Sequence, residues 1–274
     1  MTSDLPPLRE VIERYDLAAK KSLGQHFLLD LNITRKVARA GAVGADDTVL
    51  EIGPGPGGLT RALLETGAHV IAIERDRRCI DALGDLVGAF PDRLRIVEAD
   101  ALKIAAPELV AGAAPVKIVA NLPYNISTEL LIRWLKAGPA LWSRMALMFQ
   151  REVADRILAA PGSKTYGRLS VIAQATASPS RGFDLPARAF TPPPKVTSSV
   201  VVFEPATEPF EFTANLEKIT QAAFSQRRKM LRSSMKSVFG ARLADVLEEA
   251  GVKETLRAED VTVAQYKILA AQQI

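Results

Sequence analysis

Short apolar runs that end in a glycine, an acid or an amide recur along the first half of this 274-residue sequence. The runs lie at residues 48–52, 69–73, 93–99 and 116–120. They are followed in turn by Gly53, Glu74, Asp100 and Asn121. Segments with helical periodicity separate the runs, and strands that alternate with helices form a parallel sheet covered on both faces. The pattern therefore predicts an α/β fold with a Rossmann-like sheet.

The same periodicities predict the remaining elements. Helices are expected over residues 32–42, 59–65, 78–87, 127–136 and 151–158, and further strands over residues 146–149, 169–177 and 198–203. The composition changes near residues 206–209, after which only helical patterns occur, at residues 216–224, 230–238, 241–250 and 263–272. We therefore predict two domains, a Rossmann-like domain of residues 1–207 and a small all-helical domain of residues 208–274.

The residues at the strand ends predict a ligand site. In open parallel sheets, ligands bind beyond the carboxyl ends of the strands, near the point where the strand order reverses. A carboxylate at the position of Glu74 can accept both hydroxyls of a ribose, and one at the position of Asp100 can accept the amino group of an adenine. The sequence thus indicates a ligand that contains a nucleoside.

The segment Gly53-Pro54-Gly55-Pro56-Gly57-Gly58 matches both the dinucleotide fingerprint and the glycine loop of adenosylmethionine enzymes. Pro54 and Pro56 lack the backbone N–H groups that a pyrophosphate binds at a helix N-terminus. A sulfonium cofactor has no phosphate, so the prolines favour a methyl donor over a nicotinamide cofactor. Glu51 has two interpretations, support for the cationic end of this ligand or a buried, hydrogen-bonded strand carboxylate.

The segment Asn121-Leu122-Pro123-Tyr124 suggests the chemistry of the site. The exocyclic amine of a nucleobase is a poor nucleophile, because its lone pair is delocalised into the ring. An amide oxygen and a backbone carbonyl that accept its N–H groups localise the lone pair, and a stacked aromatic ring orients the base. The alternative is a plain strand followed by an Asn-Pro turn.

Composition restricts the class of protein. With 48% hydrophobic and 24% charged residues, the chain can bury a large core, and no apolar run is long enough to cross a bilayer. The first thirty residues show no secretory signal pattern. Cys79 is the single cysteine and there are two histidines, so neither a disulfide nor a zinc cluster is expected. We expect a cytoplasmic protein with no metal site.

A local basic segment points to an anionic partner. The net charge is +4, and residues 226–236 contain no acid. The basic side chains there are Arg227, Arg228, Lys229, Arg232 and Lys236, and the first four are the candidates for contact with such a partner. Before other evidence, a phosphate-binding surface and an ordinary solvated helix face are equally consistent with this cluster.

Nine motifs follow one another in a characteristic order and spacing. They are Ser22-Leu23-Gly24-Gln25-His26-Phe27-Leu28, Glu51-Ile52-Gly53-Pro54-Gly55, Ile73-Glu74-Arg75-Asp76, Glu98-Ala99-Asp100, Asn121-Leu122-Pro123-Tyr124-Asn125-Ile126-Ser127-Thr128, Gln150-Arg151-Glu152-Val153, Tyr166-Gly167-Arg168-Leu169-Ser170, Phe190-Thr191-Pro192-Pro193-Pro194-Lys195-Val196 and Gln226-Arg227-Arg228-Lys229. With them, residues 20–267 closely resemble the ribosomal RNA adenine dimethyltransferase family, and within it the bacterial small-subunit (16S) enzymes.

The resemblance implies a class I methyltransferase sheet and a reaction. The enzyme would use S-adenosylmethionine to dimethylate N6 of two adjacent adenosines near the 3′ end of 16S rRNA, in the small (30S) ribosomal subunit or its precursor, with a role in subunit biogenesis. We expect it to act as a monomer without a membrane partner. A ribosome-assembly factor that acts mainly without catalysis, and a 23S rRNA dimethyltransferase that confers antibiotic resistance, remain alternatives. A dehydrogenase is a more distant one.

The resemblance also implies roles for individual residues. The cofactor site would comprise His26, Leu28, Gly53, Glu74, Asp100 and Asn121, with the imidazole of His26 donating a hydrogen bond. Asn121 and the backbone carbonyl of Pro123 would accept from the target amine, while Tyr124 and Phe190 would stack on the adenine. The RNA backbone would contact Arg227, Arg228, Lys229 and Arg232, together with Lys20 and Lys21.

Overall fold

A computed structural model describes residues 5–17, 24–208 and 210–272 of the chain. Two compact units are present. The first contains the described residues of Met1–Trp134, Pro139–Arg151 and Ser180–Phe203, and the second those of Leu135–Gly138, Glu152–Pro179 and Glu204–Ile274. The units differ from the domain limits of 1–207 and 208–274, because residues 152–179 group with the C-terminal helices. Those limits stay a prediction, since compactness alone does not define an independently folding domain.

In the part of the chain that the structure describes, seven strands form the central sheet, and their order is β4-β3-β2-β5-β6-β9-β7. Their bounds are β2 Thr48–Ile52, β3 His69–Glu74, β4 Leu94–Glu98, β5 Val116–Ala120, β6 Trp142–Gln150, β7 Ala177–Leu185 and β9 Ser198–Pro205. Strands β4, β3, β2, β5 and β6 run parallel to their neighbours, and β9 pairs antiparallel with β6. The predicted parallel α/β sheet is therefore confirmed.

The strand order reverses between β2 and β5. From β2 the chain adds β3 and then β4 on one side, and it returns to place β5 on the other side of β2. The carboxyl ends of β2 and β5 lie next to each other there, which brings Gly53 and Asn121 to one edge of the sheet. Such a switch point is where open α/β sheets bind ligands.

Two further strands form a separate antiparallel pair. They are β1, Phe27–Leu28, and β8, Phe190–Thr191. Phe27 pairs with Thr191, and Leu28 pairs with Phe190. This pair joins the N-terminal segment to residues that precede β9.

Among the described residues, seven helices begin in the first unit before its last residue. They are α1 Leu8–Arg14, α2 Leu31–Ala40, α3 Gly58–Glu65, α4 Arg77–Ala82, α5 Gly84–Ala89, α6 Ala106–Leu109 and α7 Tyr124–Ala137. Asp30 caps α2 and Asp76 caps α4, each by accepting a backbone N–H two residues onward. The single helix predicted over residues 78–87 is two helices, α4 and α5, which meet at Leu83.

The core of the first unit lies between the helices and the sheet. Val37 of α2 and Leu63 of α3 pack in one cluster with Val49, Val70 and Val119 of the parallel strands, and all five are essentially inaccessible to solvent. Burial of branched side chains on both elements accounts for the close packing of α2 and α3 on this face.

The second unit is helical. Its helices are α8 Arg151–Ile157, which starts at the last residue of the first unit, α9 Arg168–Thr176, α10 Ala214–Ser225, α11 Leu231–Ser234, α12 Lys236–Phe239, α13 Leu243–Glu249 and α14 Val263–Ala271. Across the described residues of both units, short 3-10 turns occur at Gly138–Ala140, Ala187–Ala189, Gly240–Arg242 and Ala258–Asp260. Within the described ranges, each helix is too short or too polar to span a bilayer.

The strand predicted over residues 169–177 is wrong, because the segment forms helix α9. Seven of the nine residues of α9 are buried, and they lie on all sides of the helix, so its sequence has no clear amphipathic period. A short apolar run of this kind does not distinguish a buried strand from a buried helix. The strand β7 begins only where α9 ends, at Ala177.

Candidate active site

A pocket of about 890 Å3, counted with its open mouth, lies at the switch point of the sheet. Eight of the predicted site residues line it together. They are His26, Leu28, Gly53, Glu74, Asp100, Asn121, Pro123 and Tyr124. The strand ends therefore lie together, as the sequence predicted. The N-terminal segment around β1 forms another side of the pocket.

The glycine loop lies in close contact with β1. Gly53 and Gly55 have φ angles of +68° and +55°, which favour glycine. A Cβ atom at Gly55 would lie 2.9 Å from the Phe27 ring, and one at Gly58 would lie 2.3 Å from the carbonyl oxygen of Leu28. Side chains at these positions would clash with β1, so the glycines allow the loop and β1 to pack closely at the pocket wall.

Backbone N–H groups hold the carboxylate of Glu74 at the end of β3. Its Oε1 accepts from Arg75 N at 2.7 Å and Asp76 N at 2.8 Å, and its Oε2 accepts from Gly55 N at 3.2 Å. Burial raises the pKa of Glu74, although these bonds oppose the rise. The side chain is fixed, and Oε2 retains a lone pair for a ligand hydroxyl.

The carboxylate of Asp100 lies at the next strand end. Its Oδ1 accepts from Leu102 N at 3.0 Å, and its Oδ2 lies 3.6 Å from a guanidinium nitrogen of Arg75. Arg75 also lines the pocket. The sequence analysis did not predict Arg75 as a site residue. Its position directly after Glu74, within the same motif, was the feature that could have indicated it.

Glu51 is an unpaired acid in the pocket wall. It is 1% exposed, and within the described residues its Oε2 has no hydrogen-bond partner. Burial raises the pKa of Glu51 to about 8, and the charge of Glu74 adds to the rise. The Thr60 hydroxyl opposes it, although the two groups do not reach hydrogen-bond geometry. A buried carboxyl group without a partner fits the ammonium group of an amino-acid moiety.

Asn121 is oriented by the N-terminal segment. Its Nδ2 donates to the backbone oxygen of His26 at 2.9 Å. One N–H of the amide is thereby engaged, which orients the group and leaves the Oδ1 atom as an acceptor toward the pocket. The backbone oxygen of Pro123, at the same pocket edge, accepts the Ile126 N–H at 3.1 Å and retains its second lone pair.

The imidazole of His26 forms a hydrogen bond within the protein. Its Nδ1 lies 2.8 Å from the backbone oxygen of Pro192. Because a carbonyl oxygen only accepts, Nδ1 is the donor in this contact. The predicted hydrogen bond from this ring to the cofactor stays a prediction, and it would come from Nε2, since Nδ1 is directed at Pro192.

Two groups hold the ring of Tyr124. The His26 ring stacks against it at a centroid distance of 5.7 Å and an interplanar angle of 30°. The Tyr124 hydroxyl lies 2.5 Å from Oγ of Ser198. Ser198 was not predicted as a site residue, because it lies two residues beyond the quoted motif, at the start of a predicted strand.

Phe190 does not line the pocket within the described residues. It is 2% exposed and packs in the main core cluster, beside Leu28 on the paired strand. The stacking of Phe190 on the adenine stays a prediction. It requires the adenine to reach a ring that is buried in the core in this structure.

The comparison with family models identifies the chain. Residues 17–272 match the family described as ribosomal RNA adenine dimethylase. The chain belongs to the ribosomal RNA adenine dimethylase family. This membership confirms the predicted resemblance, the methyltransferase activity, the ribosomal RNA substrate and S-adenosylmethionine as the methyl donor.

Relatives of this dimethylase are similar over nearly their whole length. A protein of Chelativorans sp. (strain BNC1) is 56% identical over 98% of both chains. One of Xanthobacter autotrophicus is 55% identical over 97% of this chain and 93% of its own. Both are named ribosomal RNA small subunit methyltransferase A.

Two solved structures have the same fold as this dimethylase. A dimethyladenosine transferase from Plasmodium falciparum has a TM-score of 0.77 and 27% identity, over 89% of this chain and 96% of its own. The 23S rRNA methyltransferase ErmE has a TM-score of 0.68 and 25% identity, over 89% and 98%. The predicted class I methyltransferase fold is confirmed by these similarities.

The basic segment of the dimethylase lies in the second unit. Arg227 donates from Nε to Glu259 at 2.6 Å and from a terminal nitrogen to the Lys164 oxygen at 2.7 Å. Arg232 forms a longer ion pair with Glu254, at 3.9 Å. Arg228 and Lys229 are exposed and have no acidic partner in the described part of the chain. Lys20 and Lys21 lie outside the described residues.

Proposed function

We propose that this protein transfers methyl groups from S-adenosylmethionine to N6 of two adjacent adenosines near the 3′ end of 16S rRNA, and converts both to dimethyladenosine. The substrate is the small (30S) ribosomal subunit or its precursor. The names of the relatives at 55% and 56% identity support the small subunit as the target. The observation on which the chemistry rests is the Asn121 amide, whose nitrogen is engaged by the His26 carbonyl beside a large pocket.

The residues around the pocket fit the methyl donor. Glu74 accepts hydrogen bonds from the ribose hydroxyls of the donor, and Asp100 accepts one from its adenine amino group. The unpaired Glu51 forms an ion pair with the ammonium group of the donor. Gly53 lets the backbone approach the ligand, and the segment with His26 and Leu28 covers it. When bound, the donor supplies a methyl group activated by its positive sulfur.

The target amine is activated by acceptors of the chain. The Oδ1 atom of Asn121 and the backbone oxygen of Pro123 accept the two N–H groups, and this localises the nitrogen lone pair toward the methyl donor. The ring of Tyr124 stacks on the flipped adenine and holds its plane. A dedicated general base is not needed, since the alkylated amine is acidic and loses its proton to solvent.

The second transfer sets a requirement for the pocket. The monomethylated amine must enter again, with its first methyl group rotated away from the acceptor that it vacates. Only one N–H then remains for Asn121 and Pro123 to accept. A site that used a rigid cage around both N–H groups would stop after one methyl group.

The RNA is positioned chiefly through its backbone. Arg228 and Lys229 are exposed cations suited to phosphates, and Arg227 and Arg232 contribute only by giving up acidic partners. We also propose that the protein works in the cytoplasm as a monomer. A role in small-subunit biogenesis coexists with catalysis.

The decisive experiment presents three substrates to the protein. Unmethylated small subunits, large subunits and naked 16S rRNA receive labelled methyl donor, and the modified nucleoside is identified by mass. Dimethyladenosine in the small-subunit RNA is expected. Dimethyladenosine only in the large-subunit RNA would instead assign the activity suggested by the similarity to ErmE at 25% identity. Binding of small subunits without any methyl transfer would support the assembly factor.

A further inference from the structure

The hydroxyl of Tyr124 is anchored at a rigid point of the first unit. It lies 2.5 Å from Oγ of Ser198, and one of the two hydroxyls donates to the other. Ser198 is fully buried and begins β9, where it is paired with Gln150 of β6. Because β9 lies between β6 and β7 in the sheet, the anchor has strands on both sides.

Three contacts determine the plane of the Tyr124 ring. Its main chain is held at the start of α7, where Ser127 Oγ donates to the Tyr124 carbonyl oxygen at 3.0 Å. One face lies against the His26 ring, and the far end of the ring is bound to Ser198. Because the main chain, one face of the ring and the hydroxyl of Tyr124 are all held, neither torsion angle of its side chain is free to rotate.

We infer that Ser198 is a positioning residue for methyl transfer, which acts through Tyr124 to hold the ring in the plane on which the target adenine stacks. This inference rests on the proposed function. An aromatic ring that is fixed before the base arrives needs no ordering at the moment of reaction. A loose ring misaligns the amine with the methyl donor, and small misalignments of reacting atoms lower the rate strongly.

The neighbouring Ser199 provides a matched control. It is equally buried, and its Oγ donates to Asp184 at 2.6 Å and accepts from Arg181 at 3.0 Å. Successive residues of a strand point to opposite faces, so this hydroxyl does not contact Tyr124. Its removal deletes two side-chain hydrogen bonds of a buried serine in the same strand, away from the pocket.

The test compares Ser198→Ala, Tyr124→Phe, the double variant and Ser199→Ala on unmethylated small subunits. We expect Ser198→Ala and Tyr124→Phe each to lower kcat about tenfold to a hundredfold, with little change in KM for the RNA. The double variant is expected to be no worse than either single variant, since all three lose the same bond. Ser199→Ala is expected to lose thermal stability and to keep its kcat.

Several outcomes would overturn the inference. One is a kcat of Ser198→Ala equal to that of the unaltered protein, and another is a double variant whose loss is the product of the single losses. If Ser198→Ala does not fold, Tyr124→Phe decides alone, and an unchanged kcat refutes the anchor. If the unaltered protein methylates no ribosomal substrate, the proposed function fails and the positioning role fails with it.

Discussion

The side-chain nitrogen of Asn121 donates to the backbone oxygen of His26 at 2.9 Å. This bond determines which end of the amide faces the pocket, and it leaves the oxygen for the target amine. We expect Asn121→Ala to lower kcat about 10²-fold or more, because one of two acceptors is lost. Asn121→Asp is expected to be as inactive, since a carboxylate cannot donate to the His26 oxygen and is repelled by it.

The measurement is single-turnover methylation of small subunits by both variants. Calorimetric titration with the methyl donor serves as the control for the cofactor site. An Asn121→Asp variant that retained full activity would show that the donor half of the amide is unimportant, and it would contradict the orienting role of His26.

Glu51 makes the stability of the protein depend on pH. Burial raises its pKa to about 8, above the ordinary value of 4.5, so the folded protein binds the proton more tightly than the unfolded chain. The stabilisation is therefore complete below about pH 4.5, falls as pH rises, and is lost above about pH 8. Glu51→Gln, which has no proton to lose, is expected to lack this component.

Urea unfolding of both proteins between pH 5 and 9 measures the effect. The free energy of unfolding of the unaltered protein, minus that of Glu51→Gln, is expected to fall by on the order of a few kcal/mol across this range. A difference that stayed constant with pH would show that Glu51 is ionised in the folded protein. The methyl donor, whose ammonium group pairs with the ionised form, is expected to reduce the fall.

Gly58 is required by contact rather than by backbone conformation. A Cβ atom there would lie 2.3 Å from the Leu28 oxygen, so Gly58→Ala must displace β1 or the start of α3. We expect a loss of about 1–3 kcal/mol in stability and weaker binding of the methyl donor. Gly88→Ala is the control, because a Cβ atom in that helix meets nothing within 4 Å. Thermal unfolding is expected to show a gain of about 0.5–1 kcal/mol for the control.

The basic segment separates into RNA-binding and structural cations. Arg228→Ala and Lys229→Ala are expected to weaken binding to ribosomal RNA and to reduce the slope of log K against log salt by about 0.7 each. Arg227→Ala removes an ion pair with Glu259. We expect it to lower the stability of the protein and to leave the salt slope nearly unchanged. Filter binding between low and physiological salt distinguishes the two classes. If Arg228→Ala and Lys229→Ala kept the salt slope of the unaltered protein, an RNA-binding surface at this segment would be refuted.

The strand ends show what the sequence could predict. Gly53, Glu74, Asp100 and Asn121 follow apolar runs that are recognisable locally, and the rule for parallel sheets places such ends at one edge. Helix α9 shows the limit of the same approach. Its apolar sequence contains no period, and only packing in the second unit decides that it is helical.

Side-chain partners far apart in sequence were not predictable. Ser198 meets Tyr124, and Arg227 meets Glu259, only because the fold brings them together. The burial of Phe190 has the same origin, since its neighbours come from β1 and from the core of the sheet. Residue type and spacing predict which side chains are suited to a reaction, whereas tertiary contacts decide which of them are free for it.

The pairing of β1 with β8 has a consequence for biosynthesis. Phe27 pairs with Thr191 and Leu28 pairs with Phe190. The hydrogen bond from His26 to Pro192 joins residues that are 166 positions apart in the sequence. The wall over the pocket therefore cannot close until most of the polypeptide has been translated. A prematurely terminated chain that ends before Phe190 lacks this closure and has an unfinished pocket, so methylation competence arises late in translation.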